Sequence, residues 1–148
     1  MGLNLDFYAE GDFVCTDVVL DGNRVGWEGI AHGGIISTLL DEVMSWTIIF
    51  FRRVFFVTRR MEVRYLKPVP IGVPLTARGR MGSEAKPPRL NVNGELIDDS
   101  GRVLARSNGE FAVLSGDKLD MIPGEMKGQM TELFGRMASL QDGESQVG

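Results

Sequence analysis

Segment 29–42 contains residue types whose spacing suits chemistry on a polarised carbonyl group. The only histidine, His32, is followed by the adjacent glycines Gly33 and Gly34, and Asp41 comes nine residues after His32. Glycines allow the backbone to approach a ligand closely. A helix that begins at this turn presents N–H groups without intrahelical acceptors, and such donors polarise a carbonyl oxygen or hold an anion. An acid further along that helix could act on the polarised group.

Asp41 is predicted to lie opposite the apolar arc of this helix. Helical spacing places it in a stripe of mostly small or hydroxylated residues: Gly34, Ser37, Thr38, Ser45 and Ile48. Small side chains beside an acid leave room for a bound molecule, so Gly34, Ser37 and Ser45 are candidate substrate contacts. Glu42 lies nearer the apolar arc and is the rival acid.

The elements that position these residues are predicted from hydrophobic periodicity. From Gly34 to about Phe51 the pattern is helical, and its wide apolar arc predicts a mostly buried central helix. Strands are predicted where β-branched residues or period-two alternation dominate: Phe13–Leu20, Val54–Lys67, Val73–Met81, Leu90–Ile97 and Val103–Leu114. The stretch between the first strand and the helix, Val25–Ile30, is predicted to be a loop. Short turns between consecutive strands favour an antiparallel meander, so we predict an α+β domain with its sheet wrapped around the helix.

The C-terminal part differs in composition from the rest of the chain. We predict a main domain over 1–115 and an extension over 116–148, rich in Met, Gly and polar residues. A docked helix is predicted over Pro123–Leu140, followed by a flexible tail. The residues expected along one face of that helix are Met126, Met130, Leu133 and Met137.

Composition and charge restrict the class of protein. The chain has 148 residues and a net charge of −4, which argues against nucleic acid as the main partner. Its single cysteine, Cys15, is predicted to serve packing. Because no secretory signal is evident and Val43–Phe51 is too short to span a bilayer, we expect a soluble cytoplasmic protein without a membrane partner. No metal ligands accompany His32, and no cofactor is expected.

The segment Gly29–Glu42, with its His-Gly-Gly turn and its acid nine residues after the histidine, resembles hotdog-fold acyl-CoA thioesterases of the phenylacetic-acid-degradation type. Tyr65–Gly72 is similar to the signature that follows a strand in that family. The resemblance covers roughly Gly26 to Leu114. It implies a hotdog fold, thioester hydrolysis, and a homodimer or dimer of dimers with active sites at the dimer interface.

The same resemblance implies a role for each matching residue. The backbone N–H of Gly33 would polarise the thioester carbonyl, and Asp41 of the partner subunit would be the nucleophile or the base that activates water. Thr58 would orient water, and His32 would shape the turn and touch the thioester. The chain departs from many relatives at Gly26, where they carry an asparagine; Asn23 lies three residues upstream.

Coenzyme A, as part of the substrate, needs cationic partners for its phosphates. The candidates are Arg80, Lys86 and Arg89 around the Pro-Pro turn, and the Arg52-Arg53 pair at the end of the helix.

Two alternatives to a thioesterase stay open at this point. The first is a non-catalytic acyl-CoA binding protein, which Gly26 keeps under consideration. The second is a hotdog enoyl hydratase or dehydratase. That class is less favoured because its Pro-Gly-rich turn is missing: no proline occurs from Met1 to Lys67.

Overall fold

The computed structural model describes residues 5–21, 25–27 and 29–141. The strands are β1 Tyr8–Glu10, β2 Phe13–Val19, β3 Val25–Trp27, β4 Ile30–Ala31, β5 Phe56–Tyr65, β6 Pro74–Met81, β7 Arg89–Asp98 and β8 Val103–Val113. The helices are α1 Gly33–Arg52, a 3-10 helix Gly116–Met121 and α2 Gly124–Gln141.

Six strands form one antiparallel sheet in the order β1-β2-β6-β7-β8-β5, and α1 packs across one face of it. The wide apolar arc of α1 explains this position, because nine of its side chains are buried. Their partners in the main core include Val14, Leu75 and Leu96 from three different strands. This is the hotdog fold, and the predicted α+β class is confirmed.

The predicted meander is correct for β6, β7 and β8 but wrong for β5. β5 pairs with β8 at the edge of the sheet, and β6 pairs with β2 on its other side. The connection after β5 contains Pro68 and Pro70 and is too long for a tight hairpin. Backbone hydrogen bonds hold it against the turn before α1, with the Ala31 N–H donating to Val69 O at 2.7 Å. The chain therefore crosses from the sheet edge to its middle.

The loop predicted over Val25–Ile30 is also different in the structure. β3 and β4 form a two-stranded antiparallel hairpin that leads directly into α1. Gly29 has a φ of 75°, which favours glycine at this turn. The three-residue and two-residue strands are too short for alternation to reveal them in the sequence.

A β-bulge changes the direction of side chains within β5. The register shifts between Thr58 and Arg60, so Arg59 is the extra residue. Before the bulge, Thr58 lies opposite the buried Phe111 and shares its face. After the bulge, Met61 takes that helix-facing side. Both halves of the edge strand thus contribute to the face that covers α1.

The C-terminal extension contains the predicted helix. Met137 is buried in the main core, and Met130 and Leu133 pack against it, whereas Met126 is exposed. The boundary at 115 stays a prediction. The tail predicted to follow Leu140 begins one residue later, because Gln141 is still in α2, and residues 142–148 lie outside the described residues.

By length and composition alone, α1 is apolar enough to cross a membrane. A helix in the core of a fold meets the same criteria, and half of the apolar window of α1 is buried in this structure.

Candidate active site at the helix N-terminus

His32 is the N-cap of α1, and its side chain satisfies one of the free N–H groups of the first turn. Its backbone is extended, with φ −65° and ψ 138°, and its Nδ1 accepts a hydrogen bond from the Gly34 N–H at 2.8 Å. The N–H groups of Ile35 and Ile36 donate to the His32 carbonyl. The Gly33 N–H makes no hydrogen bond to any residue that the structure describes. One donor is therefore left for a ligand.

The two glycines have different steric roles. A Cβ on Gly34 would lie 2.8 Å from the Nδ1 and Cε1 atoms of His32, so a side chain there displaces the capping imidazole. A Cβ on Gly33 would meet only the Tyr65 ring end, at an ordinary 3.5 Å. Gly34 is therefore required by the cap. Its predicted contact with substrate stays a prediction.

Tyr65, the last residue of β5, holds this turn from the other side. Its hydroxyl donates to the Gly33 carbonyl at 3.1 Å and lies 2.5 Å from the Ser37 Oγ. The sequence analysis did not predict this role, although Tyr65 follows Met61 and Val63 at a spacing of two and therefore shares their face of the strand. The available signal was a tyrosine, with its polar hydroxyl, at the end of this series of residues on one face. Tyr65 fixes the carbonyl of the residue whose N–H is free.

A cavity of about 720 Å³ opens at this turn. Its walls are the start of α1 and the chain that follows β5: Ile30, Ala31, His32, Gly33, Gly34, Ile36, Tyr65, Leu66, Lys67, Pro68 and Val69. Lys67 supplies a positive charge, and most of the other lining residues are apolar or glycine. A cavity with apolar walls and a few polar groups is typical of small-molecule sites.

Asp41 lies one turn beyond Ser37 on α1. Because the Ser37 Oγ contacts the Tyr65 hydroxyl of β5, this side of the helix faces β5. One of its carboxylate oxygens, Oδ1, is buried without a hydrogen-bond partner. Burial raises the pKa of the Asp41 carboxyl group, because the charged form is poorly solvated. A carboxylate in this setting is a stronger base and a stronger nucleophile than one in water.

The distance between Asp41 and Gly33 decides how they could act together. They are eight residues apart on one helix, which is about 12 Å along its axis. Reacting atoms must approach to about 3 to 3.5 Å. The Gly33 N–H and the Asp41 carboxylate of the same chain are too far apart to act on one carbonyl group.

The other predicted site residues do not join the cavity of the same chain. Thr58 is exposed on the helix-facing side of β5, about 20 Å along the strand from Tyr65. Ser45 lies one turn beyond Asp41 on α1. Asn23 is outside the described residues, and Gly26 lies in β3.

The predicted cations for coenzyme A lie towards the C-terminal end of α1, about 28 Å along the helix from Gly33. Arg80 lines a small pocket there together with Arg52. The Arg89 N–H donates to the Lys86 carbonyl, and the Arg89 side chain lies 3.3 Å from a Glu110 carboxylate oxygen. These cations are therefore far from the Gly33 cavity of their own chain, and their contact with coenzyme A stays a prediction.

The family model described as the thioesterase superfamily matches residues 28–105, which include the capped turn, α1 and most of the sheet. The chain belongs to the thioesterase superfamily. No curated protein matches the sequence.

Solved structures with this fold include members of the same superfamily. A thioesterase superfamily protein has 25% identity and a TM-score of 0.69 over 73% of this chain, which spans about half (53%) of that protein. A Streptococcus mutans protein bound to acetyl-CoA has 22% identity and a TM-score of 0.69, covering 78% of this chain and 92% of its own. The E. coli PaaI protein from the phenylacetic acid degradation operon has 19% identity and a TM-score of 0.68, covering 77% and 82%.

Proposed function

We propose that the protein hydrolyses the thioester bond of an acyl-coenzyme A. The observation that carries this proposal is the Gly33 N–H, which has no acceptor among the described residues and lies at the wall of an apolar cavity, beside a neighbouring N–H that His32 already caps. Membership of the thioesterase superfamily and the acetyl-CoA bound to the S. mutans relative support it. The acyl group is proposed to occupy the apolar part of the cavity.

The proposed reaction uses one backbone donor and one carboxylate. The thioester oxygen accepts a hydrogen bond from the Gly33 N–H, which stabilises the negative charge that develops on it. Asp41 either removes a proton from the attacking water or adds to the carbonyl carbon to form an anhydride that water then opens. In both routes the C–S bond breaks, and the products are a carboxylic acid and the coenzyme A thiol.

Two subunits are needed to combine these groups, because Gly33 and Asp41 of one chain are about 12 Å apart along α1. We propose a homodimer formed through β5, a ten-residue strand that pairs only with β8 among the described strands. A long exposed edge strand is a template for pairing with another chain. Antiparallel pairing of two copies would bring the start of one α1 alongside the body of the other. A dimer of two such dimers is compatible with this proposal.

The first experiment measures thiol release from short, medium, long and aromatic acyl-CoA substrates. We expect turnover of at least one substrate by the wild type and its loss in Asp41→Ala. The matched control is Glu42→Gln, which changes the neighbouring acid and should retain activity. If Glu42→Gln lost turnover and Asp41→Ala retained it, the catalytic acid would be Glu42 and the assignment to Asp41 would be wrong. Absence of turnover with retained coenzyme A binding would instead identify a non-catalytic binding protein.

The second experiment tests whether the site is shared between subunits. Gly33→Pro removes the backbone donor, and the extended backbone of His32 is compatible with a following proline at the first helical position. Gly33→Ala retains the N–H and is its control, since the added Cβ makes only an ordinary contact. Both Gly33→Pro and Asp41→Asn should be inactive alone.

Mixed dimers of the two inactive variants distinguish the arrangements. With shared sites, random mixing restores about one quarter of wild-type activity, because half of the dimers then contain one intact site of two. With sites confined to one chain, no mixture is active. Size-exclusion chromatography with light scattering verifies that both variants form the same oligomer as the wild type.

A further inference from the structure

A second cavity, of about 300 Å³, lies on the face of the sheet that points away from α1. Its polar and aromatic walls come from two adjacent cross-strand rows: Phe13, Arg80 and Asn93, and Arg78, Glu95 and Arg106. Between the rows, the Cα–Cβ direction of Gly79 points to α1, because a Cβ there would meet Thr47. The side chains of both rows therefore extend to the opposite face.

This outer-face pocket has an excess of positive charge, with three guanidinium groups and one carboxylate. Glu95 Oε1 accepts a hydrogen bond from Arg78 Nε at 2.7 Å, whereas Arg106 Nε lies 3.8 Å from Glu95 Oε2. No carboxylate lies within 4 Å of the Arg80 guanidinium among the described residues. Two positive charges are thus incompletely compensated, in a chain whose net charge is −4.

Phe13 brings two of these cations together. The guanidinium carbons of Arg78 and Arg80 lie 4.4 and 5.3 Å from the centre of its ring. Each gains a cation–π contact, but two like charges on one ring repel each other. The carboxylate of Glu95 offsets the charge of Arg78, whereas Arg80 has no such partner within 4 Å among the described residues.

Asn93 adds an oriented donor beside Arg80. Its Oδ1 accepts a hydrogen bond from Asn108 Nδ2 at 2.8 Å, which fixes the amide and leaves its NH₂ group able to donate. Asn93 is the register partner of Arg80 on the adjacent strand. Arg80, Asn93 and Arg106 therefore offer three sets of N–H donors around one pocket.

We propose that this outer-face pocket binds the phosphate group of a small molecule. A phosphate dianion matches the two uncompensated charges, and its oxygens suit the N–H donors of guanidinium groups. The pocket shares Arg80 with the cations predicted for coenzyme A, but it lies on the face of the sheet that points away from α1, and its test uses no thioester. Free phosphate and a phosphate monoester share the required chemistry, and the test separates them.

The test is calorimetric titration at low ionic strength with inorganic phosphate, adenosine monophosphate and malonate, each in a separate titration. The variants are Arg80→Gln and Arg106→Gln, and Arg102→Gln is the matched control, because Arg102 lies in the β7–β8 turn and pairs with Asp98. We expect saturable binding of one phosphate group per chain, weakened on the order of 10-fold by each pocket variant and unchanged in the control. Circular dichroism verifies that all three variants fold.

The outcomes separate the ligand sources and decide the proposal. Tighter binding of adenosine monophosphate than of phosphate assigns the pocket to a phosphate monoester, and equal binding assigns it to the phosphate group alone. Absence of saturable binding would overturn the proposal. Equal weakening by Arg102→Gln would also overturn it, because the attraction would then be diffuse. Tighter binding of malonate than of phosphate would assign the pocket to dicarboxylates instead.

Discussion

The Gly33 cavity and the outer-face pocket of Arg80 and Arg106, both proposed here as binding sites, differ in the groups that they would offer to an electron-rich ligand. The first uses a backbone N–H, a capped helix start and apolar walls, with the acid Asp41 kept at a distance on the same helix. The second uses charged side chains on the surface of a sheet. A backbone donor is fixed by the fold and suits a neutral carbonyl that becomes charged during reaction, whereas guanidinium groups suit a ligand that is already an anion.

The largest expected effect is that of Asp41→Asn, which separates activity from stability. We expect turnover to fall on the order of 1000-fold, because the substitution removes the carboxylate that we propose as base or nucleophile. Stability at neutral pH should rise, since the neutral amide avoids the burial of a charge. Thiol release and thermal unfolding measure the two effects.

The pH dependence of that stability difference has a defined sign. Because burial raises the pKa of Asp41 in the folded state, the folded protein binds the proton more tightly than the unfolded chain. The wild type therefore loses stability as pH rises from the unfolded pKa of about 4 through the folded pKa. The melting-temperature advantage of Asp41→Asn should disappear below about pH 4. An equal advantage at pH 4 and pH 7 would contradict the assignment to a buried charge.

Gly34→Ala tests the contribution of the cap to the first site. The added Cβ displaces the His32 imidazole, so we expect a loss of about 1 to 2 kcal/mol in the free energy of unfolding. Urea denaturation measures it, and Gly33→Ala is the comparison that should be nearly neutral. If the two variants were equally stable, the imidazole would not be a stabilising cap.

Tyr65→Phe removes one hydroxyl that contacts both Gly33 and Ser37. We expect a loss of about 1 kcal/mol in unfolding free energy and a several-fold fall in kcat with little change in KM. The control is Tyr8→Phe, whose hydroxyl contacts Asp17 on β2, far from the cavity. A change in KM alone would mean that Tyr65 contacts substrate and does not position Gly33.

Glu95→Gln should have the smallest effect on stability. In contrast to Arg80→Gln and Arg106→Gln, it should strengthen phosphate binding. The ion pair with Arg78 is partly exposed, so its loss should change the unfolding free energy by about 1 kcal/mol or less. Removal of the carboxylate leaves Arg78 and Arg106 free for a ligand, so phosphate should bind more tightly. Weaker phosphate binding in this variant would mean that Glu95 orients the arginines and does not compete with the ligand.

Burial of Cys15 agrees with its predicted packing role. Cys15 lies in β2 with its thiol buried, and this burial raises the pKa of the thiol to about 11. The predicted helix also formed close to its expected limits, since Gly34–Phe51 became Gly33–Arg52. Both results concern features that neighbouring residues in the chain determine.

The sequence by itself determined the central helix, the His-Gly-Gly turn at its start, the spacing of Asp41 and the hairpins from β6 to β8. These are local features, because helical periodicity and short turns relate residues only a few positions apart. The resemblance to the thioesterase family also depended on one local segment, Gly29–Glu42.

Only the tertiary structure decided which distant residues meet. It placed β5 beside β8 at an open edge, brought the Tyr65 hydroxyl to Ser37, 28 residues away, and assembled Phe13 and arginines from β6 and β8 around one pocket. The bulge at Arg59, which puts Thr58 and Met61 on the same helix-facing side of β5, also depends on pairing with β8. Strand order and register depend on closing long segments of chain around a shared core, and no local pattern of residues specifies that closure.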